Sequence, residues 1–532
     1  MSSILELAKL LQQKSAADVG SLLVESKSST ASLADLFDFA KLLLSKRELE
    51  RRIRSLPAQE LNKLMAGEPS ELLWENLLAG QAPFPEAVEL AGQLEQKPLS
   101  YKLGQGGALV CYETLLSITE LIFALEQSWF EVSKAGIRSA DARGIAEKLH
   151  CPSIEIQKRF RLAELAGLVA PHEGRWAATI SGQNWIQLER EQAWLVLARA
   201  IWDLPARQFS SGDLPTQLSE RYPLVDIGTL KFLEYGYLIG LMDGSELLQD
   251  IAESPDKELA QRIIATLPRS EDRLILQGDL SIICPGPISP ALHRELDSFA
   301  DSEELGLASR FRISALSLSH HIETGGSLAA AAELLKDKSG RQLPQPLQYL
   351  LAEAESRFGS LQVIGGIRTT IRSEDQILLA QIANERSLIH LGLRPEENHL
   401  ASQAGQEVVY FSLRAASYAA VMVNETGEVI SPRLGIAQAD QITPEADARL
   451  RAEQLIAGER LSGDAGDIRR QLQFALKNKI RVSLSFEDAQ GKLQRIQLMP
   501  LGITDTRLRG RESVREAEQT LPLARIKSVL LD

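Results

Sequence analysis

The apolar residues of this chain change their spacing near residue 270, and no other feature limits the fold as much. Before that point Leu33, Leu36, Phe37, Ala40, Leu43 and Leu44 recur at helical spacing and give one apolar face. Trp194, Leu197, Ala198, Ile201 and Trp202 do the same. After it, LILQGDLSIICPGP (274–287) is rich in β-branched residues and stops at Pro285-Gly286-Pro287, which reads as a strand and a turn. Helices are predicted at 290–300, 314–323, 327–336 and 344–357. Strands are predicted at 361–365, 407–412 and 418–423, with a turn at 424–427. Such a chain is an α+β multidomain protein with a helix-rich N-terminal half. Its 532 residues, at about 100–200 per domain, suggest three or four domains.

Residues 139–181 carry a more specific order. Ser139 can cap a helix through Ile145, Ala146 and Leu149. His150-Cys151-Pro152-Ser153 reads as a turn, and a second helix carries Ile156, Phe160, Leu162, Ala163 and Leu165. AGLVA and PHEGRWAATISG follow, a small hairpin with Gly174 at its tip. Helix, turn, helix and hairpin make a winged helix-turn-helix. Its second helix would present Gln157, Lys158, Arg159 and Arg161 to DNA, and its wing Arg175 and Trp176. The alternative is a winged helix used for packing or docking. Residues 131–175 hold 8 Lys/Arg against 6 Asp/Glu, a weak basic balance.

The formal net charge is -13, so nucleic acid would be repelled except at local basic patches. The last segment is such a patch: residues 467–532 hold 13 Lys/Arg and 8 Asp/Glu. Arg495, Arg507, Arg509, Arg511 and Arg525 lie close together there and can hold phosphate or an anionic ligand, or else guard strand edges. The charged run KRELERRIRS (46–55) reads as a solvated helix face in preference to a phosphate-binding strip.

Other chemistry finds little support. Cys111, Cys151 and Cys284 form no zinc spacing and read as small buried residues, which suits a reducing cytoplasm. His320 and His321 point about 100° apart on a helix and make a poor chelate, so no metal is expected. Asp279 has no partner base or nucleophile and reads as a turn residue. YKLGQGGA (101–108) lacks a following Gly-Lys-Ser/Thr, and no P-loop occurs, so neither an ATPase nor any other enzyme, and no cofactor, is expected. The N-terminus has no secretory pattern, and no run reaches about 18 consecutive apolar residues, so neither export nor a membrane span is expected.

LILQGDLSIICPGPISPALHRELDSFAD (274–301), FRISALSLSHHIETGGS (311–327), LPQPLQYLLAEAESRFG (343–359) and LRAASYAAVMVNETGEV (413–429) resemble the helicase-associated proteins of actinobacteria. Their central module is classed with the N-terminal domain of XPB-type helicases. The resemblance extends to SLADLFDFAKLL and AGLVA. IRRQLQFALKNKIRVSLSFEDAQGKLQRIQLMPLGI and LPLARIKSVLL resemble the WYL domain through Phe486, Gly491, Arg495, Pro500, Arg525 and Ile526, although the WYL tripeptide is missing. The resulting division is a helical domain at 1–105, a winged-helix-like domain at 106–190 and a helical segment at 191–268. An XPB-like module at 269–437, a linker at 438–466 and a WYL-like β-domain at 467–532 complete it. The resemblance implies a DNA-associated accessory protein, a partner of an XPB-type helicase in repair. The alternatives are a ligand-responsive transcriptional regulator, a scaffold that never touches DNA, and a nuclease.

Overall fold

The computed structural model describes residues 3–26, 33, 35–97, 103–127, 130–133, 136–172, 174–205, 208–424, 426–430, 444–460, 468–469, 471–473, 475–476, 480–487, 493–504, 506–512 and 517–531. It is an α+β protein of several small sheets among many helices. The chain forms two compact units, one from 1–99, 216–227 and 442–532, the other from 100–215 and 228–441.

In the first unit, among the described residues, seven short helices between Ser3 and Ala91 surround a core that includes Leu7, Leu11, Leu36, Phe39, Leu43, Ile53, Leu73 and Phe84. The run KRELERRIRS departs from its expected solvated face. Within the helix Lys46–Arg54, Arg52 and Arg54 are buried. The Arg52 guanidinium donates to the carbonyls of Leu43, Asn76 and Leu77, and Arg54 donates to those of Glu95 and Leu224. They satisfy orphan carbonyls between helices, and burial pulls the Arg52 pKa down to about 10.

The segment 438–466, expected as a linker, carries a 17-residue helix, Pro444–Arg460. It packs on Ala16–Ser26 and places Ala452 and Leu455 in the N-terminal core. Gly20 allows that approach, since a Cβ there would stand 3.3 Å from the Arg449 backbone. Residues 461–466, at the end of that segment, lie outside the described residues.

The C-terminal sheet is an antiparallel meander with its last strand folded back: Glu518–Pro522, Arg507–Glu512, Leu493–Ile503, Val482–Glu487, Ile526–Leu531. The two edge strands are joined by the three residues Leu523–Arg525. Four inter-strand steps of a flat sheet span about 19 Å, beyond the reach of that link, so the sheet must curl. Its concave side holds Leu472, Ala475, Val482, Leu484, Leu498, Leu508, Ile526 and Val529.

The second unit begins with the helix Ala108–Gln127. Ala108–Glu126 is long and apolar enough to cross a membrane, yet 67% of it is buried inside the fold. Around it lie the helices Ser139–Lys148 and Ser153–Leu165 and the sheet Phe130–Glu131, Arg175–Ala178, Val169–His172. A second sheet, Gly212–Asp213, Glu246–Leu247, Met242–Asp243, repeats that strand connectivity.

From 275 onward one motif occurs twice. Ile275–Leu276, Ser281–Cys284, helix Pro290–Asp297, Asp301–Glu304 and Ser309–Arg312 pair in the order first, second, fourth, third. Leu361–Ile364, Thr369–Ser373, helix Gln376–Asn384, Arg394–Glu396 and His399–Ser402 pair in the same order, with Val421–Val423 added in parallel at the edge. A helix follows each copy, Ala315–Glu323 and Gln406–Ala415. The two are joined by buried Glu323, which accepts hydrogen bonds from Tyr410 Oη at 2.6 Å and Arg414 Nη1 at 3.2 Å. The second of these helices replaces the strand expected at 407–412. Val409, Tyr410 and Leu413 share its buried face, and Val408 is exposed.

Candidate nucleic-acid interface

The helix–turn–helix–hairpin order expected at 139–181 is present, but most of its basic residues face inward. On Ser153–Leu165 the core contacts Ile156, Phe160 and Ala163 are spaced i, i+4, i+7, and Arg159 falls on the same stripe. It is 2% exposed. Its Nη1 donates to Ser117 Oγ at 2.8 Å and its Nη2 to Glu113 Oε2 at 3.2 Å, both on the helix Ala108–Gln127. Arg175 and Trp176 point to opposite faces of their strand and are both buried, since both its faces are covered. Trp176 Nε1 donates to the Gly136 carbonyl, and its ring meets Phe160 edge-on. These three side chains hold the fold and do not reach solvent.

The remaining three are half-buried or exposed, and each is engaged. Gln157 donates to Ser139 Oγ at 3.2 Å. Lys158 Nζ reaches Glu155 at 3.1 Å and Tyr237 Oη at 3.0 Å, and that hydroxyl donates to Glu155 Oε2 at 2.9 Å. Burial, and then Glu155, push the Tyr237 hydroxyl pKa up. The cluster ties the second helix to Gly236–Ile239. Arg161 is exposed and bound to Glu164. The helix that would enter a DNA groove therefore offers no cluster of unengaged basic groups among the described residues.

The C-terminal sheet turns its arginines outward. In Arg507–Glu512, Leu508, Gly510 and Glu512 point into the core while Arg507, Arg509 and Arg511 are exposed on the other face. Gly510 is required by the pattern, because a Cβ there would strike Leu498. Arg495 is exposed on the adjacent strand. Leu498 pairs with inward Glu512 and Met499 with Arg511, so Arg495, four residues before Met499, shares the outer face about 13 Å away. Opposite Arg495 sits Ser485, whose outward neighbour along the strand is Ser483. Glu518 crosses from the edge strand: Arg509 donates to its Oε2 through Nε at 3.0 Å and Nη2 at 2.5 Å, and Arg511 lies 3.9 Å from Oε1. The Arg509 hydrogen bond holds the Glu518 carboxyl below its usual range. Arg525 is exposed in the link between the edge strands, off this face.

Elsewhere, Asp279 accepts from Ser281 N and Oγ at 3.1 and 3.0 Å, as a turn-capping carboxylate does. Cys111 and Cys284 are buried, and desolvation pushes both thiols up to about 12. No group of three or more His, Cys, Asp or Glu side chains that could hold a metal occurs among the described residues. Sequence reasoning missed one polar cavity, lined by Arg368, His390 and Arg394 beside the backbone of 401–404. Its signal was slight: the hairpin Gly365-Gly366-Ile367-Arg368, with Ile367 fully exposed.

Residues 274–397 are similar to the helicase conserved C-terminal domain. That family model covers under a quarter of the chain and falls on the duplicated motif. No curated protein matches the sequence. Among solved structures, proteasome accessory factor B/C (PafBC) of Arthrobacter aurescens aligns over 79% of this chain and 84% of its own, at 11% identity and a TM-score of 0.13. A score that low supports no inference about fold or function.

Proposed function

We propose that the protein is a non-enzymatic, DNA-associated accessory or regulatory protein, held to the phosphate backbone by the outer face of its C-terminal sheet. One observation carries the reading: Arg507, Arg509 and Arg511 stand in a row on an exposed face, with Arg495 on the next strand, in a chain of net charge -13. Such a row suits the regular phosphates of a nucleic-acid strand. In this reading the segment 139–178 is a winged helix used for packing, and the curled sheet is a WYL-like domain. The helicase-like module would dock an XPB-type helicase in cytoplasmic DNA repair.

The test is fluorescence anisotropy with duplex, single-stranded and forked DNA across a salt series. The parent chain should bind more weakly as salt rises. Arg507→Ala, Arg509→Ala and Arg511→Ala together should flatten the salt dependence by about 0.9 in log–log slope per lost duplex phosphate contact. Arg161→Ala should change little. Absence of binding at low salt, or a triple variant that binds like the parent, would sink the reading.

A further inference from the structure

The two copies of the strand–strand–helix–strand–strand motif differ at one corner. In the first copy the last strand ends at Arg312, paired with Ser281, and in the second it ends at Ser402, paired with Thr369. Arg312 reaches out of its sheet, is ion-paired to Glu303, and donates through Nη1 to the Asp279 carbonyl at 2.9 Å. The Asp279 carboxylate lies 4.0 Å from it. There the one arginine is answered by two carboxylates.

In the second copy Ser402 is buried and turns inward, donating to the Leu391 carbonyl at 2.7 Å. Ser402 and its neighbours also line an open cavity of about 380 Å³. That is the small end of the roughly 300–1,000 Å³ range of ligand pockets. Two arginines, Arg368 and Arg394, and one histidine, His390, line it, with Gln403 and the backbone of Gly392 and Ala404. His390 is steadied by Ser412 Oγ, 3.1 Å from its Nε2. No carboxylate is among the described lining residues. Glu396 is 4.0 Å from Arg368 and closer to His399, at 2.9 Å. Where the first copy answers its arginine with carboxylates, the second presents a concave cluster of cationic and neutral donors.

We propose that this cavity binds a phosphate group. Two guanidinium groups present forked donors of the kind that grip phosphate oxygens, and the concave wall excludes part of the competing water. The phosphate can belong to a free nucleotide or to a nucleic-acid backbone, and the chemistry of recognition is the same.

Calorimetric titration of the full chain separates these sources. It is run on a chain already carrying Arg507→Ala, Arg509→Ala and Arg511→Ala, so that the sheet face does not contribute and failure of one proposal leaves the other standing. Inorganic phosphate and adenosine monophosphate should bind and adenosine should not. Arg368→Gln or Arg394→Gln should weaken phosphate roughly ten- to a hundredfold, as expected for loss of a charged hydrogen bond. Both arginines are exposed, so unchanged thermal melting will verify folding. Arg357→Gln, at an exposed helix end, should bind phosphate like the parent. A short thymidine oligonucleotide that binds far more tightly than the monophosphate identifies a backbone phosphate as the ligand, and equal or weaker binding identifies a free nucleotide. No phosphate heat in the parent, or heat unchanged by both glutamine variants, overturns the proposal.

Discussion

The helix Ser153–Leu165 and the strand Arg507–Glu512 are both arginine-bearing, and they use arginine in opposite ways. Arg159 lies between its own helix and Ala108–Gln127, covered on every side, and its charge is answered by Glu113 and Ser117. Arg507, Arg509 and Arg511 stand on a sheet that packs on one face only, and the pleat sends every second residue to water. Residue type and local charge balance do not distinguish the two. The face on which each arginine lies does. A packed face turns its arginines into structural clamps, while a bare face keeps them at the surface.

The largest test of this contrast is Arg159→Ala. Removing one partner of a buried ion pair costs about 3–5 kcal/mol, and because Glu113 is partly exposed the lower end, about 3 kcal/mol, is expected. Urea denaturation should show it as a fallen midpoint, with DNA affinity of the folded protein unchanged. A midpoint like the parent's would mean that Arg159 is not a clamp and would dissolve the comparison.

A somewhat smaller effect should appear with pH. His293, fully buried between Phe123 and Phe311, is held neutral by desolvation, its pKa pulled from 6.5 down to about 4. Between those values the unfolded chain takes up a proton that the fold refuses. Its contribution is therefore complete above pH 6.5 and is lost as pH falls towards 4, by up to about 3 kcal/mol. Asp297 works the other way, since burial and then Glu120 raise its carboxyl and the fold takes that proton first. The share due to His293 is read as the difference between the parent and His293→Leu, whose stability should fall less between pH 7 and pH 5. Equal losses in both chains would place His293 in contact with solvent.

Much of this contrast was legible in the sequence. RLRGRE alternates strictly, so the outward row of arginines follows from period two alone. Arg159 also declares itself, three residues after Ile156 and four before Ala163, once Phe160 is recognised as core. What the sequence hid was long-range. Pro444–Arg460 shows only Ala448, Ala452, Leu455 and Ile456 as an apolar stripe among charges, and its partners lie some 400 residues earlier. The duplicated motif is built of strands of two to five residues, too short for a period to show. QEVVYFSLRA looks like a strand by composition, and its packing against Leu361–Ile364 makes it a helix. Arg368 and Arg394 meet only through the pairing of three strands, which no local pattern announces.

The smallest effect tests the exposed side alone. Glu518 draws Arg509 along the sheet face and shares in holding Arg511. Glu518→Gln should release both guanidinium groups, raise DNA affinity by up to about fivefold and steepen its salt dependence, as expected for an exposed pair that salt already screens. Because Arg509 holds the Glu518 carboxyl below its usual range, the pair persists through neutral and mildly acidic pH. It is lost only as pH falls through that lowered value, where the parent should converge on the glutamine variant. Anisotropy titrations of the two proteins at matched salt give the answer. If Glu518→Gln binds no tighter at any salt, Arg509 and Arg511 do not touch the phosphates, and the contact must be made through Arg495 and Arg507 at the two ends of the face.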